Sequence, residues 1–231
     1  MITLKDNALF IADSHYNRDR TELYRLLLEI QKGDIELSQL FLMGDIFDFL
    51  AGEINYFIKI NSKIIDMINN ISTKCEVIYL EGNHDYNLKD VFAKLKVVSR
   101  ESQPINIDVD GRKTALSHGD IFTPTAYNIY CKIIRNSFLL KFLNIIDINN
   151  WLTKKVEKAL SGKHICKKMD NFDTFVKKRY KAYDTDMVIE GHFHQTYLSE
   201  DYINIPSLYC DKSYLLYKDK RFEFVNLKET N

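Results

Sequence analysis

Apolar positions recur along the first half of the chain with two alternating periods. Residues 7–12 (NALFIA) are a short apolar run that predicts a buried strand ending at Asp13. Leu23, Leu26, Leu27 and Ile30 then fall at helical spacing. Residues 40–43 form a second apolar run, stopped by Gly44-Asp45, and residues 56–71 return to the helical period through Ile60, Ile64, Ile65, Ile68 and Ile71. A third strand over 76–80 runs into Gly82-Asn83-His84-Asp85. Strand, polar motif and helix, repeated three times, predict a layered α/β fold. In such folds the polar residues just past the strand C-termini converge on one sheet edge.

The second half has another pattern. Residues 105–109 and 113–117 flank Asp110-Gly111, which predicts a hairpin. Ser117-His118-Gly119-Asp120 follows directly, and residues 123–182 read as helical throughout. A strand over 187–189 leads into Gly191-His192-Phe193-His194, and 202–205, 214–217 and 222–225 read as terminal strands. One domain over residues 1–231, carrying a helical insertion over 121–182, is the organisation this predicts.

Composition adds one feature, an uneven distribution of charge. The chain totals 32 Lys/Arg and 32 Asp/Glu, but residues 121–182 hold 13 against 4, a net of +9, which leaves −9 for the rest. The basic surplus is therefore local, and it lies beside apolar helices rather than among base-stacking aromatics. No nucleic-acid partner is expected. Cys75, Cys131, Cys166 and Cys210 form no CxxC pair, so free thiols in a reducing compartment are the plain expectation. The N-terminus has no signal-peptide pattern, and no apolar run reaches a membrane span. These features predict a cytoplasmic protein, with peripheral contact at an inner-membrane surface left open.

The chemistry gathers at the strand ends. Five of the six histidines (His15, His84, His118, His192 and His194) sit in these motifs, joined by Asp13, Asp45 and Asn83. Mixed carboxylate, imidazole and amide donors suit Mn, Fe or Zn better than Ca. Two divalent metals about 3.5–4 Å apart need an anionic bridge, and they acidify a bound water enough to dispense with a side-chain nucleophile. A lone His192-x-His194 pair would face opposite ways in a strand, so both converge only if the Gly191 turn redirects them.

The ordered blocks Asp13-x-His15, Gly44-Asp45-x-x-Asp48, Gly82-Asn83-His84-Asp85, His118-Gly119-Asp120 and Gly191-His192-x-His194 resemble the calcineurin-like metallophosphoesterase superfamily. The resemblance implies a layered sandwich of two β-sheets flanked by helices. It implies that Asp13, His15, Asp45 and His194 hold one metal, while Asp45, Asn83, His118 and His192 hold a second, most often manganese. It also implies that His84, oriented by Asp85, stabilises the phosphoryl oxygens or protonates the leaving group.

The insertion carries Ile133, Phe138, Phe142, Ile145 and Trp151 ahead of Lys154, Lys155, Lys158, Lys163, Lys167 and Lys168. Apolar helices beside cations suit a phosphorylated amphiphile or an anionic membrane surface. In length and insertion position the chain is similar to the UDP-2,3-diacylglucosamine diphosphatases of lipid A synthesis. That branch often carries arginine where this chain has His84. The likeness implies cleavage of a lipid-linked nucleotide to UMP and a diacylglucosamine 1-phosphate; the run of lysines, beyond the usual solvated face, suits a phosphate-receiving or membrane-facing role. Two alternatives remain: a broad phosphodiesterase or phosphatase acting on soluble nucleotides or phosphoproteins, and a non-catalytic scaffold of the same fold.

Overall fold

Short parallel strands buried on both faces need cover on both sides, and the chain supplies it with a second sheet and with helices. In the computed structural model, which describes residues 1–228, the first half runs β1 (Ile2–Thr3), β2 (Ala8–Ile11), α1 (Glu22–Lys32), β3 (Gln39–Leu42), β4 (Leu50–Ala51), α2 (Asn55–Ile60), α3 (Ser62–Ile71), β5 (Glu76–Leu80), β6 (Asp85–Tyr86) and β7 (Lys96–Val98). The second half continues β8 (Ile105–Val109), β9 (Arg112–Ser117), α4 (Thr125–Ile134), α5 (Ser137–Ile146), α6 (Trp151–Ser161), α7 (Phe172–Tyr180), β10 (Met187–Glu190), β11 (Tyr197–Leu198), β12 (Tyr202–Asn204), β13 (Ser213–Lys218) and β14 (Arg221–Asn226).

One six-stranded sheet has the order β14-β13-β2-β3-β5-β7 and the other β1-β8-β9-β10-β12-β11. β2, β3 and β5 are parallel, as are β9 and β10, so their C-terminal ends share an edge in each sheet. This is the two-sheet sandwich that the resemblance implies. Alternation along each strand divides the core. Leu9, Ile11, Leu40, Leu42, Val77 and Tyr79 face α1 and α3, where Leu23, Leu26, Leu27, Ile64 and Ile68 meet them. Phe10, Phe41 and Ile78 face the second sheet at Leu116, Ile189 and Ile203, with Phe10 and Phe41 stacked at 4.4 Å. Burying each such side chain contributes about 1.5–3 kcal/mol, which fixes strand register because a one-residue slip would exchange the two faces.

Local signals set the boundaries. α1 stops at Gly33, whose φ of 83° lets its N–H reach the Glu29 and Ile30 carbonyls. The β8–β9 hairpin turns through Asp110 and Gly111, at φ 51° and 83°. The segment between β9 and β10 departs from the helical expectation. α4 to α7 are helical, but residues 163–170 form neither helix nor strand. α7 packs Val176 on Ala115, Val188 and Tyr202, covering the outer face of the second sheet. By contrast, α4, α5 and α6 bury only Cys131, Leu140 and Thr153. Their apolar residues look outward, with Phe138 86% and Ile145 77% exposed.

Candidate metal centre

Each motif follows the C-terminal end of a parallel strand. Asp13, Asp45 and Asn83 follow β2, β3 and β5, while His118 and the pair His192 and His194 follow β9 and β10. The two sheet edges meet there, and these six residues come together with His15. Ligand atoms of Asp13, His15 and His194 lie within 4.8 Å of one another, as do those of His15, Asp45 and His84 and those of Asp45, His118 and His192. Asn83 Oδ1 joins the last group, 3.3 Å from His118 Nε2. Asp45 belongs to two groups: Oδ2 stands 3.8 Å from His15 Nε2 and Oδ1 3.6 Å from His118 Nε2.

The backbone bends sharply to make this convergence. Asp13, His15, Asp45, His192 and His194 all sit at positive φ, between 41° and 71°. The left-handed region answers the question raised by the His192-x-His194 spacing, because β10 ends at Glu190 and neither histidine is in a strand. Non-glycine residues there cost on the order of 1–3 kcal/mol each, a cost met by the surrounding packing. Gly82 must be glycine, since a Cβ at that position would collide with the Asp45 backbone and carboxylate.

A second layer of hydrogen bonds holds the groups. Asp13 Oδ2 accepts from the His192 N–H at 2.8 Å, which ties the first motif to the last. His118 Nδ1 meets the Met43 carbonyl at 2.9 Å and His84 Nδ1 meets the Asp48 carbonyl at 2.7 Å. Asp85 corrects an expectation. Its carboxylate accepts from the N–H groups of Gly82, Asp45, Ile46 and Phe47 and from the Tyr79 hydroxyl, so it anchors the Asp45 turn. The His84 ring is oriented by the Asp48 carbonyl instead.

The electrostatics call for positive charge. Burial raises the Asp13 carboxyl, but the His194, His118 and His15 imidazoles outweigh it and hold Asp13 below the usual carboxylate range. Burial works against protonation of His118, yet Asp45, Asp13 and Asp120 lift it to about 9. Burial and His118 together lower His192 to about 4. Asp13 Oδ1 and His15 Nδ1 are buried without a hydrogen-bond partner, and His15 Nε2 faces His194 Nε2 at 3.2 Å. Converging lone pairs and two buried carboxylates fit divalent cations, and the donor types suit Mn, Fe or Zn.

Residues 7–196 match the family model for calcineurin-like phosphoesterases. The chain belongs to that family. This calcineurin-like phosphoesterase is a hydrolase, and its family implies divalent metal ions. Proteins named UDP-2,3-diacylglucosamine hydrolase are similar to it. The one from Neisseria meningitidis serogroup A is 25% identical, with 84% of this chain and 85% of that protein covered. The one from Vibrio atlanticus is 24% identical, with 96% and 98% covered. Among the described residues, no helix of the phosphoesterase is long and apolar enough to cross a membrane.

Other expected residues fare differently in the calcineurin-like phosphoesterase. Lys154 donates to the Asn149 carbonyl and Lys155 lies over the Trp151 ring, while Lys158, Lys163 and Lys167 are exposed. The structure does not bring these five to the cluster. Lys168 is the lysine that reaches it, through the His194 carbonyl. The free-thiol expectation is overturned for two cysteines: Cys166 and Cys210 are disulfide-bonded, while Cys75 and Cys131 are free. The fold brings their Cα atoms to 5.4 Å, within bridging range.

Four arginines outside the motifs also hold the cluster. Arg20 joins Asp48 Oδ1 at 2.7 Å to the Ser161 carbonyl at 3.3 Å. Arg100 joins Asp120 to Asn128, Arg135 donates to the Gly82 carbonyl, and Arg179 joins Glu190 to the Gly119 carbonyl. Each ties a loop of the cluster to residues 121–182. The available signal was residue type: Arg135 and Arg179 are the only arginines among the 13 basic residues of that segment, and bidentate buried contacts favour arginine over lysine.

Proposed function

We infer that this chain cleaves UDP-2,3-diacylglucosamine to UMP and 2,3-diacylglucosamine 1-phosphate at a centre of two divalent metals. The observation that carries the reading is the outward apolar surface of α4 to α6, joined to the cluster through Arg135 and Arg20. The names of the relatives point to the same substrate. The cavity beneath α6, lined by Tyr16, Asp48, Phe49, Phe57, Glu157 and Leu160, measures about 40 Å³. That holds one or two waters, so acyl chains would lie along the outward helix faces rather than in this cavity.

Asp13, His15, Asp45 and His194 would hold one divalent metal and Asp45, Asn83, His118 and His192 the other, Asp45 being common to both sets, with manganese as the leading ion. Bound metals would supply an acidified water and a clamp for phosphoryl charge. The remaining chemistry belongs to His84. A carbonyl can only accept, so His84 Nδ1 carries a proton toward Asp48, and Nε2 is the atom that exchanges a proton with the leaving oxygen. Asp85 acts at one remove, by fixing the Asp45 turn. Exposed Lys154, Lys155, Lys158, Lys163 and Lys167 are left to long-range attraction of an anionic headgroup or membrane surface.

The deciding assay supplies purified protein with Mn²⁺ and UDP-2,3-diacylglucosamine and follows UMP. Release of UMP is expected, with Phe138→Ser and Ile145→Ser raising KM for this substrate about tenfold and leaving bis(p-nitrophenyl) phosphate unaffected. Absence of UMP with brisk turnover of the aryl diester would replace the reading with a broad phosphodiesterase. The histidine at position 84 favours that second reading, being the general form of its motif.

A further inference from the structure

The Cys166–Cys210 bridge spans 44 residues, and the loop it closes contains α7, β10 and both His192 and His194. Cys210 Sγ lies 3.6 Å from His194 Nδ1, on the side of the ring away from the cluster. His194 Nε2 points the other way, 3.5 Å from Asp13 Oδ1. His118 and His84 have backbone carbonyls at their Nδ1 atoms. His194 has a sulfur instead. Cys166 lies in the non-helical strap over 163–170, which crosses His194 and Gln195. Three polar ties hold the strap: Lys168 Nζ to the His194 carbonyl and Asp211, Gln195 Nε2 to the Lys167 carbonyl at 3.4 Å, and Arg20 to the Lys163 carbonyl at 3.2 Å. Both cysteines are partly exposed, so a reductant can reach the bond.

We propose that Cys166–Cys210 is a reversible thiol–disulfide site that sets how firmly His194 holds its metal. A dithiol reductant breaks the S–S bond, each sulfur gains one electron and one proton, and the reductant is oxidised to its own disulfide. The loop around His192 and His194 then opens. The strap loses its covalent tie, and Cys210 Sγ is free to leave His194 Nδ1. The partner at the second nitrogen of a ligand histidine fixes ring orientation, and its loss costs about 10–100-fold in metal affinity. The disulfide form is thus the metal-retaining state, and the dithiol form releases the ion on the His194 side first.

The inference rests on the metal-centre reading, and the test separates the two. Wild-type protein is prepared oxidised, with oxidised glutathione, and reduced, with tris(2-carboxyethyl)phosphine that is then removed. Each form is titrated with Mn²⁺, its thiols are counted in denaturant, and trypsin cleavage after Lys163, Lys167 and Lys168 is timed. The expected result is two thiols when oxidised and four when reduced. One Mn²⁺ should bind at least tenfold more weakly in the reduced form, with the other changed less than threefold, and strap cleavage should be faster. Cys166→Ser should match the reduced form and ignore reductant. Equal Mn²⁺ curves in both forms overturn the proposal, as do four thiols after oxidation. Failure of both forms to bind Mn²⁺ overturns the metal centre itself, and the proposal with it.

Discussion

Glu81 is buried one residue before Gly82, accepts from the Leu88 N–H at 2.8 Å, and stands 3.9 Å from Arg135. Burial raises its carboxyl to about 7, with the Leu88 amide and Arg135 opposing the shift. A carboxyl that keeps its proton longer when folded gives stability that is present below about pH 4.5 and lost as pH rises through about 7. His192, lowered to about 4 by burial and by His118, has the opposite sign: its contribution is lost as pH falls from about 6.5 toward 4. The two trends overlap, so only a difference isolates Glu81. Glu81→Gln keeps an oxygen for Leu88, and relative to wild type it should gain up to about 3 kcal/mol between pH 4.5 and 7.5. Urea unfolding at several pH values measures this, and a flat difference would refute it. Ligand-type residues were legible at this scale because their types and order carry the chemistry. The role of Asp85 was not, because nothing in the motif shows that its carboxylate turns back onto four backbone amides and a tyrosine.

Strands and helices of the first half were legible because each buries a face whose period survives in the sequence, as in Leu9/Ile11 against Phe10 or Leu23, Leu26 and Leu27. The segment between β9 and β10 was only partly so. Its residues keep helical composition through 163–170, but the chain breaks at Asn149, Asn150 and Asn171, which take φ of 59°, 57° and 56°. Asparagine tolerates that region without announcing it. The cysteine pairing was invisible for another reason: a 44-residue separation says nothing of spatial approach. Arg135 shows how this segment is coupled to the centre. It ends α4, donates to the Gly82 carbonyl beside Asn83, and stands 3.7 Å from Asp120. Arg135→Met leaves Glu81 and Asp120 short of a partner and should cost about 3–5 kcal/mol. It should also lower kcat tenfold or more on any phosphoester, because the Asn83 loop is no longer held. Arg135→Met combined with Glu81→Gln should recover part of the stability but not the rate. Recovery of both, by urea unfolding and steady-state assay, would mean that Arg135 acts only as a counter-charge.

At the scale of the molecule, the cluster is where two sheets with separate cores meet. One edge contributes Asp13, Asp45 and Asn83, the other His118, His192 and His194, and the hydrogen bond from the His192 amide to Asp13 crosses between them. A cation bound across that seam is bound only by the folded chain, so it adds RT ln(1 + [metal]/Kd) to stability, about 2.7 kcal/mol at a hundredfold excess over Kd. For a chain of 231 residues, each kcal/mol moves the melting point by roughly 2–4 °C. Chelator-treated protein should therefore gain about 5–11 °C when Mn²⁺ is restored at that excess. Asp45→Asn removes the carboxylate that reaches both halves of the cluster and should lose most of the gain together with activity. His84→Ala should keep the gain, because His84 is assigned to proton transfer, while losing about 10²–10⁴-fold in rate. Differential scanning calorimetry with and without metal separates these variants. A melting point indifferent to Mn²⁺, Fe²⁺ and Zn²⁺ would leave the five left-handed residues without a ligand to justify them, and would favour a scaffold that keeps the residues of a phosphoesterase without its metals.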